Sequence, residues 1–314
     1  MTKFRNKDSL AILILILLWM IFFWRLFTPI AEDQASLKNG DFSGQFVAFG
    51  AYQYERMSQG EIPLWNPYNN GGLPFIADTQ AAVFYSPRWI TIGLSSLAGG
   101  WSYNALQLEM AFHVLLYTLL MYAFMRRLTL GHEQSHFASF IASIIIGYGG
   151  YPTSYPPLQL AVLEAAIWFP LGTVGILEAT RSDTLKWRWI ALAGFGLGVS
   201  WLAGHPQTSW FMTYLLVAYL AYRSYKHKIG WRVFFVALVG FGVITIGVTA
   251  VTLLPGIEYL LQTSRDGLGF DAKGNGFPFK DVAQFLLPGS VSLWSPLYVG
   301  IPALFFIGVA ILRN

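Results

Sequence analysis

Apolar residues in this chain gather in long unbroken runs, without the alternation of a half-buried strand or the narrow stripe of a soluble helix. The first run extends from Ser9 to Phe27 and reads LAILILILLWMIFFWRLF after the serine. Others cover 103–125, 136–150, 158–179, 189–204, 207–222, 232–254 and 296–312. About 20 apolar residues cross the hydrocarbon core of a bilayer, and shorter stretches suffice where it thins. The pattern therefore predicts an all-α integral membrane protein, a polytopic bundle of about eight spans forming a single transmembrane domain over 1–314. Lys3, Arg5 and Lys7 ahead of the first run would suit a signal peptide. That run is too long for a signal's hydrophobic region and no small-residue cleavage site follows it, so a retained anchor is expected.

Charge decides the direction of the spans and the fate of the ambiguous segment 83–98, which carries Pro87 and Arg88 near its start. If 83–98 is re-entrant or interfacial, the clusters Arg126–Arg127, Arg181–Arg188 and Arg223–Arg232 fall on the same side as the N-terminus, together with Arg313. That side then holds 13 of the 20 basic residues on short loops, as the positive-inside rule requires. Both termini are expected in the cytoplasm of a multi-pass cell-membrane protein. Two long segments, 28–102 and 255–295, become the outer loops. Loops of that length are where function concentrates.

Composition narrows the function classes. Hydrophobic residues make up 55% and charged residues 11% of the chain, and mean hydropathy is +0.49. A soluble enzyme and a disordered tail are both excluded by that balance. The net charge of +4 reports orientation in a membrane rather than a nucleic-acid footprint. Cysteine is absent, so there is neither a disulfide nor a thiolate nucleophile. No Gly-Lys-Ser/Thr phosphate loop occurs, and the inner connections hold about ten residues each, too few for a nucleotide domain.

The first outer loop carries the densest local signals. Phe42, Phe46, Phe49 and Gln53 follow helical spacing, with Met57 beyond them, until Gly60 and Pro63 stop the pattern. This predicts an amphipathic helix in the headgroup plane with its aromatic face toward the acyl boundary. Pro63, Pro67 and Pro74, among Asn66, Asn69, Asn70, Gly71 and Gly72, impose a tight path. Trp65 and Tyr68 suit interfacial anchors. A second short helix is expected over roughly Ala77 to Tyr85.

The succession DFSGQF (41–46), GEIPLWNPY (60–68) and GGLPFIADTQAAVFYSP (71–87), with GHPQ at 204–207, resembles the bacterial YfhO-type membrane proteins, which are similar to the GT-C superfamily of integral membrane glycosyltransferases. The resemblance implies a helix bundle whose first outer loop forms two juxtamembrane helices. It implies transfer of a sugar from a polyprenyl-phosphate carrier, with inversion, to a cell-envelope glycopolymer, lipid or protein acceptor. An acidic residue early in this loop is the catalytic base of such enzymes, and Asp41 is the matching position. YfhO-type proteins are longer than this chain, which implies correspondence to an N-terminal part of that architecture.

The residues themselves offer the matching chemistry. An attacking hydroxyl needs a carboxylate to take its proton, and a departing phosphate needs a cation or helix amides. Asp41 is the candidate base, or alternatively the cap of a helix starting at Phe42; Glu32 and Asp33 are the fallback bases. Gln45 and Gln80 are candidates to orient substrate, with Gln207. Arg88 and His205 are candidate phosphate partners; their plain alternatives are a snorkelling anchor and a solvated hairpin turn. Glu109 and His113 share one helix face, and Glu164 enters the fourth span, either around a polar cavity or as packing groups. A metal at Glu109 and His113 is not expected, because a third group at suitable spacing is missing; participation of a divalent cation is left open. The stretch SRDGLGFDAKGNGFPFKD, with Arg265 and Lys280, suits either a lid or a connector. The Gly-rich stretches 194–204 and 240–247 suggest close helix packing. Two rival classes are a lipid or sugar transporter using Glu109, His113 and Glu164, and a non-catalytic scaffold for a lipid-linked polymer.

Overall fold

A computed structural model describes residues 2–69, 71–182, 184–263, 279–291 and 297–313 of the protein, with side chains from Asn6 onward. The described residues are helical apart from connecting turns and one antiparallel bridge between Asn66 and Leu73. Helix α1 covers Thr2–Phe22, and α2, Val47–Met57, is entered through a wide π-type turn at Phe42–Phe46. Then follow α3 (Ser86–Leu97), α4 (Tyr103–Leu128), α5 (Ser135–Gly147), α6 (Leu160–Ala166) and α7 (Phe169–Ala179). The chain continues through α8 (Trp187–Leu202), α9 (Pro206–Lys226), α10 (Trp231–Leu261) and α11 (Ile301–Arg313).

Among the described residues, three stretches are long and apolar enough to cross a membrane: Tyr103–Leu128, Leu160–Ala179 and Trp231–Leu261. Two shorter apolar helices, Ser135–Gly147 and Ile301–Arg313, stand beside them in composition. The protein is thus a helical, membrane-associated one. Helix α10 departs from the expected end at residue 254: it runs through Pro255 to Leu261. Proline removes one helical hydrogen bond and crowds the carbonyl four residues back, and within a membrane helix local adjustment of the neighbouring turns can absorb both.

The aromatic face read from the first outer loop is present, but it is covered by protein. Phe42 and Phe46 are buried against Leu106, Met110 and Val114 of α4 and Leu160 and Leu163 of α6. Phe49 packs with Phe75, Ala81 and Val83. An aromatic stripe is as well served by a neighbouring helix as by acyl chains, and sequence spacing does not distinguish them. The expected helix over Ala77–Tyr85 is instead a single 3-10 turn, Thr79–Ala81, whose continuation is broken where Ala82 takes a left-handed conformation.

Small residues set the helix spacing in part as expected. A Cβ on Gly194 would lie 2.8 Å from the Phe241 carbonyl oxygen, and one on Gly198 would lie 2.6 Å from Val248 Cβ, so α8 and α10 touch through these positions. Gly242 and Gly247 of α10 face open space. Gly175 is the tightest backbone contact between α7 and α8, since its Cβ would meet the Trp189 carbonyl at 2.7 Å and the Ala193 nitrogen at 2.8 Å. Neither atom can rotate away. Gly175→Ala is expected to cost about 1–3 kcal/mol by overpacking, whereas Gly242→Ala is expected to be neutral or slightly stabilising. Thermal unfolding of the two variants in detergent compares them directly.

The basic clusters collect at one end of the bundle. There Asp8 accepts hydrogen bonds from Arg126 Nε and Tyr122 at 2.7 Å each, Arg181 pairs with Glu178 at 2.6 Å, and Arg223 Nε donates to Thr180 at 3.0 Å. Burial favours the neutral form of Asp8, but these bonds outweigh it and hold the carboxyl below its ordinary range. The opposite end carries the long first loop.

Candidate functional site

At that opposite end the loop, the α8–α9 turn and the end of α10 enclose a cavity of about 1010 Å³. Gln45 reaches it from the π-type turn, Gln80 from the 3-10 turn, and His205 and Gln207 from the start of α9. These four sequence candidates, drawn from three separate segments, line one space. Gln45 Nε2 donates to Gln80 Oε1 at 2.6 Å in its wall. Gly204 fixes how closely the α8–α9 turn approaches: its φ is +90°, and a Cβ there would lie 2.1 Å from the Thr79 carbonyl oxygen. Only glycine meets both demands.

The sequence reading missed several groups of the same wall. Asn66, Asn69, Tyr52, Tyr68, Asp78, Tyr259 and Thr263 also line the cavity. The signal for Asp78 lay in the motif itself: Asp two residues before Gln80 is an Asx turn, and its Oδ1 accepts from the Gln80 backbone N–H at 3.0 Å. Tyr259 and Thr263 fall in the segment read as the second outer loop, 255–295, and reach the wall because α10 continues to Leu261. Lys280 is described but does not line the cavity, and Arg265 and most of the candidate lid lie outside the described residues.

Asp41 stands just outside this wall. It precedes the π-type turn but makes no side-chain capping bond, so the cap reading does not hold. Its carboxylate instead accepts a hydrogen bond from the Gln159 side-chain amide, and it is half-buried. Along the chain Asp41 lies midway between Gln45, which lines the cavity, and Leu37, which lines a second, apolar groove of about 380 Å³. Phe22, Phe23, Met110, Pro157 and Leu158 also line that groove. The fallback bases Glu32 and Asp33 sit in a short 3-10 turn, outside both spaces.

Arg88 and Glu109 are elsewhere. Arg88 is 2% exposed, donating from Nε to Glu109 at 2.6 Å and from Nη2 to Glu164 at 3.1 Å. A guanidinium enclosed by two carboxylates is not available to a phosphate, and it is not a snorkelling anchor either. The third group that spacing did not reveal is Glu164: Glu109, His113 and Glu164 each bring one atom within 4.8 Å of the others. Arg88 donates to both carboxylates of this group. His113 has both ring nitrogens engaged, with the Glu109 carbonyl at 2.6 Å and the Tyr85 hydroxyl at 2.7 Å. The cluster is tied to the cavity wall: Arg88 Nη1 donates to Gln53 Oε1 at 3.4 Å, and Gln53 Nε2 donates to the Ala81 carbonyl at 2.6 Å, beside Gln80.

His205 caps α9. Its Nδ1 accepts from the Thr208 backbone N–H at 3.2 Å, which requires that nitrogen to be unprotonated. Burial lowers its pKa from the ordinary 6.5. An imidazole that protonates less readily when folded withholds stability as pH falls from about 6.5 through the lowered value, and the loss is complete below it. The protein is therefore expected to lose thermal stability across this acid window, while His205→Asn, which keeps a capping acceptor without a titrating one, loses less. Melting curves between neutral and mildly acidic pH measure the difference.

Compared with protein-family models, curated proteins and solved structures, the chain matches none of them.

Proposed function

We propose that this protein is a GT-C-type membrane glycosyltransferase that moves a sugar from a polyprenyl-phosphate carrier to an acceptor on the outer surface. In this reading about eight spans cross the membrane, with both termini in the cytoplasm. The observation that carries it is the convergence of Gln45, Gln80, His205 and Gln207 on one cavity of about 1010 Å³. Carboxamides and tyrosines around a cavity of that size suit a hydroxyl-rich ring, which needs many directional partners and an aromatic face. The basic end of the bundle faces the cytoplasm by the positive-inside rule, so the cavity opens at the outer leaflet. There a carrier phosphate holds its sugar at the membrane surface, and the apolar groove beside Leu37 takes part of the prenyl chain.

The chemistry follows from where the charges go. An acceptor oxygen attacks the anomeric carbon from the face opposite the carrier, its proton passes to Asp41, and the bond to the carrier phosphate breaks with inversion. Gln159 orients the Asp41 carboxylate, and Gln45 and Gln80 hold the ring. With Arg88 sequestered, His205 is the remaining phosphate partner of the original pair. The transporter reading would run through Glu109, His113 and Glu164, which are each 4% exposed or less.

Purified protein in lipid nanodiscs, supplied with radiolabelled polyprenyl-phosphate sugars and envelope acceptors, tests the proposal. Transfer from at least one donor is expected. A complete donor panel without transfer or donor binding would overturn it.

A further inference from the structure

Two carboxylates and one guanidinium meet where water does not reach. Glu109 and Glu164 flank Arg88 at 2.6 and 3.1 Å, and all three side chains are 4% exposed or less. The second oxygen of Glu109, Oε2, has no hydrogen-bond partner. The groups packed around them do not supply another positive charge. From α4, His113 Nδ1 donates to the Glu109 carbonyl, since a carbonyl can only accept; the Tyr85 O–H lies 2.7 Å from His113 Nε2 and 3.5 Å from the Glu164 carbonyl, so it goes to the nearer acceptor, Nε2. That is a neutral tautomer. Trp168 donates to the same Tyr85 oxygen at 3.2 Å, and from α2 Gln53 offers an uncharged amide. Counting charge, one cation faces two potential anions. A bare excess charge at this burial costs several kcal/mol.

We propose that the cluster is a proton-binding site, in which one proton held between Glu109 and Glu164 is the missing counter-charge. The shorter Arg88 contact belongs to Glu109, so Glu109 keeps the negative charge. Glu164 carries the proton, taken up from water as an O–H bond, and directs it at the open Oε2 of Glu109. This accounts for an oxygen that otherwise lacks a donor. A metal ion fits less well, because Arg88 and the engaged nitrogens of His113 close the coordination space. The occupied site latches α3 to α4 and α6. The inference is independent of the sugar-transfer reading.

The sign of its pH dependence follows. A carboxyl that keeps its proton only in the folded state contributes stability that is fully present in acid and is lost as pH rises through its folded-state titration. Infrared spectra of the protein in nanodiscs at neutral pH should show the C=O stretch of a protonated carboxyl that shifts in D₂O. Glu164→Gln and Glu109→Gln should each fold and each lose that band, since one carboxylate then balances Arg88. The wild type should lose thermal stability at alkaline pH, and Glu164→Gln should not. The double Glu→Gln variant should be less stable than either single one, because Arg88 is left unpaired. No such band in the wild type, a band that persists in Glu164→Gln, or a stoichiometric metal ion in the purified protein without the band would each overturn the proposal. Failure of Glu164→Gln to fold would also contradict it, because a glutamine there replaces a protonated glutamate in shape and charge.

Discussion

Asp41→Asn is expected to lower sugar transfer by about 10²- to 10⁴-fold, the usual share of a positioned general base, with little effect on expression. The amide keeps the size of the side chain, and its oxygen can still accept from Gln159. What it loses is the ability to take a proton from the acceptor hydroxyl. Because the effect is on the chemical step, donor affinity should remain near that of the wild type while turnover falls. Asp78 provides the contrast. It lines the cavity but serves as the cap of the Thr79–Ala81 turn, so Asp78→Asn, which preserves the Asx acceptor, should retain more activity than Asp41→Asn. The opposite ranking in a single-turnover assay would move the base from Asp41 to Asp78.

Arg88→Met should be the most damaging single substitution for stability. It leaves Glu109 and Glu164 buried without their shared guanidinium, a change that costs about 3–5 kcal/mol when one partner of a buried ion pair is removed. The damage would reach the cavity, because Arg88 also supports Gln53 and through it the Ala81 carbonyl. Arg88→Lys should rescue little, since a single ammonium cannot reproduce the fork that reaches both carboxylates and Gln53. The triple variant Arg88→Met, Glu109→Gln, Glu164→Gln should recover much of the loss by removing the stranded charge. Thermal unfolding in detergent, alongside folded yield, ranks the four proteins; an Arg88→Met protein as stable as the wild type would contradict the ion-cluster account.

Much of the architecture could be read from the chain because apolar spacing leaves a direct trace. Phe42, Phe46, Phe49 and Gln53 do share a buried side, and Gln45, Gln80, His205 and Gln207 do meet. What lies against a face leaves no such trace. Phe42 and Phe46, expected against acyl chains, pack on α4 and α6, and Phe49 packs on Phe75, Ala81 and Val83. Arg88, between Pro87 and Trp89, reads as an interfacial anchor until the bundle brings it Glu109 and Glu164, 21 and 76 residues away. Tyr259 and Thr263 lie in a segment read as loop from residue 255, yet α10 runs on to Leu261, because a proline within a helix at membrane depth need not end it. Local turn chemistry was similarly misjudged at Ala77–Tyr85, where an Asx cap and a left-handed Ala82 replace a helix.

The absence of native cysteine allows single-cysteine labelling without background. Gln207 is exposed at the cavity wall, and Lys226 is exposed at the far end of the same helix. With Gln207→Cys in intact cells, a membrane-impermeant maleimide should react from outside, and a polyprenyl-phosphate sugar that serves as donor should slow the reaction. Lys226→Cys should react only after the membrane is opened. Labelling of Gln207→Cys only from the cytoplasmic side, or at a rate no lipid-linked sugar changes, would contradict an outward cavity that holds the donor.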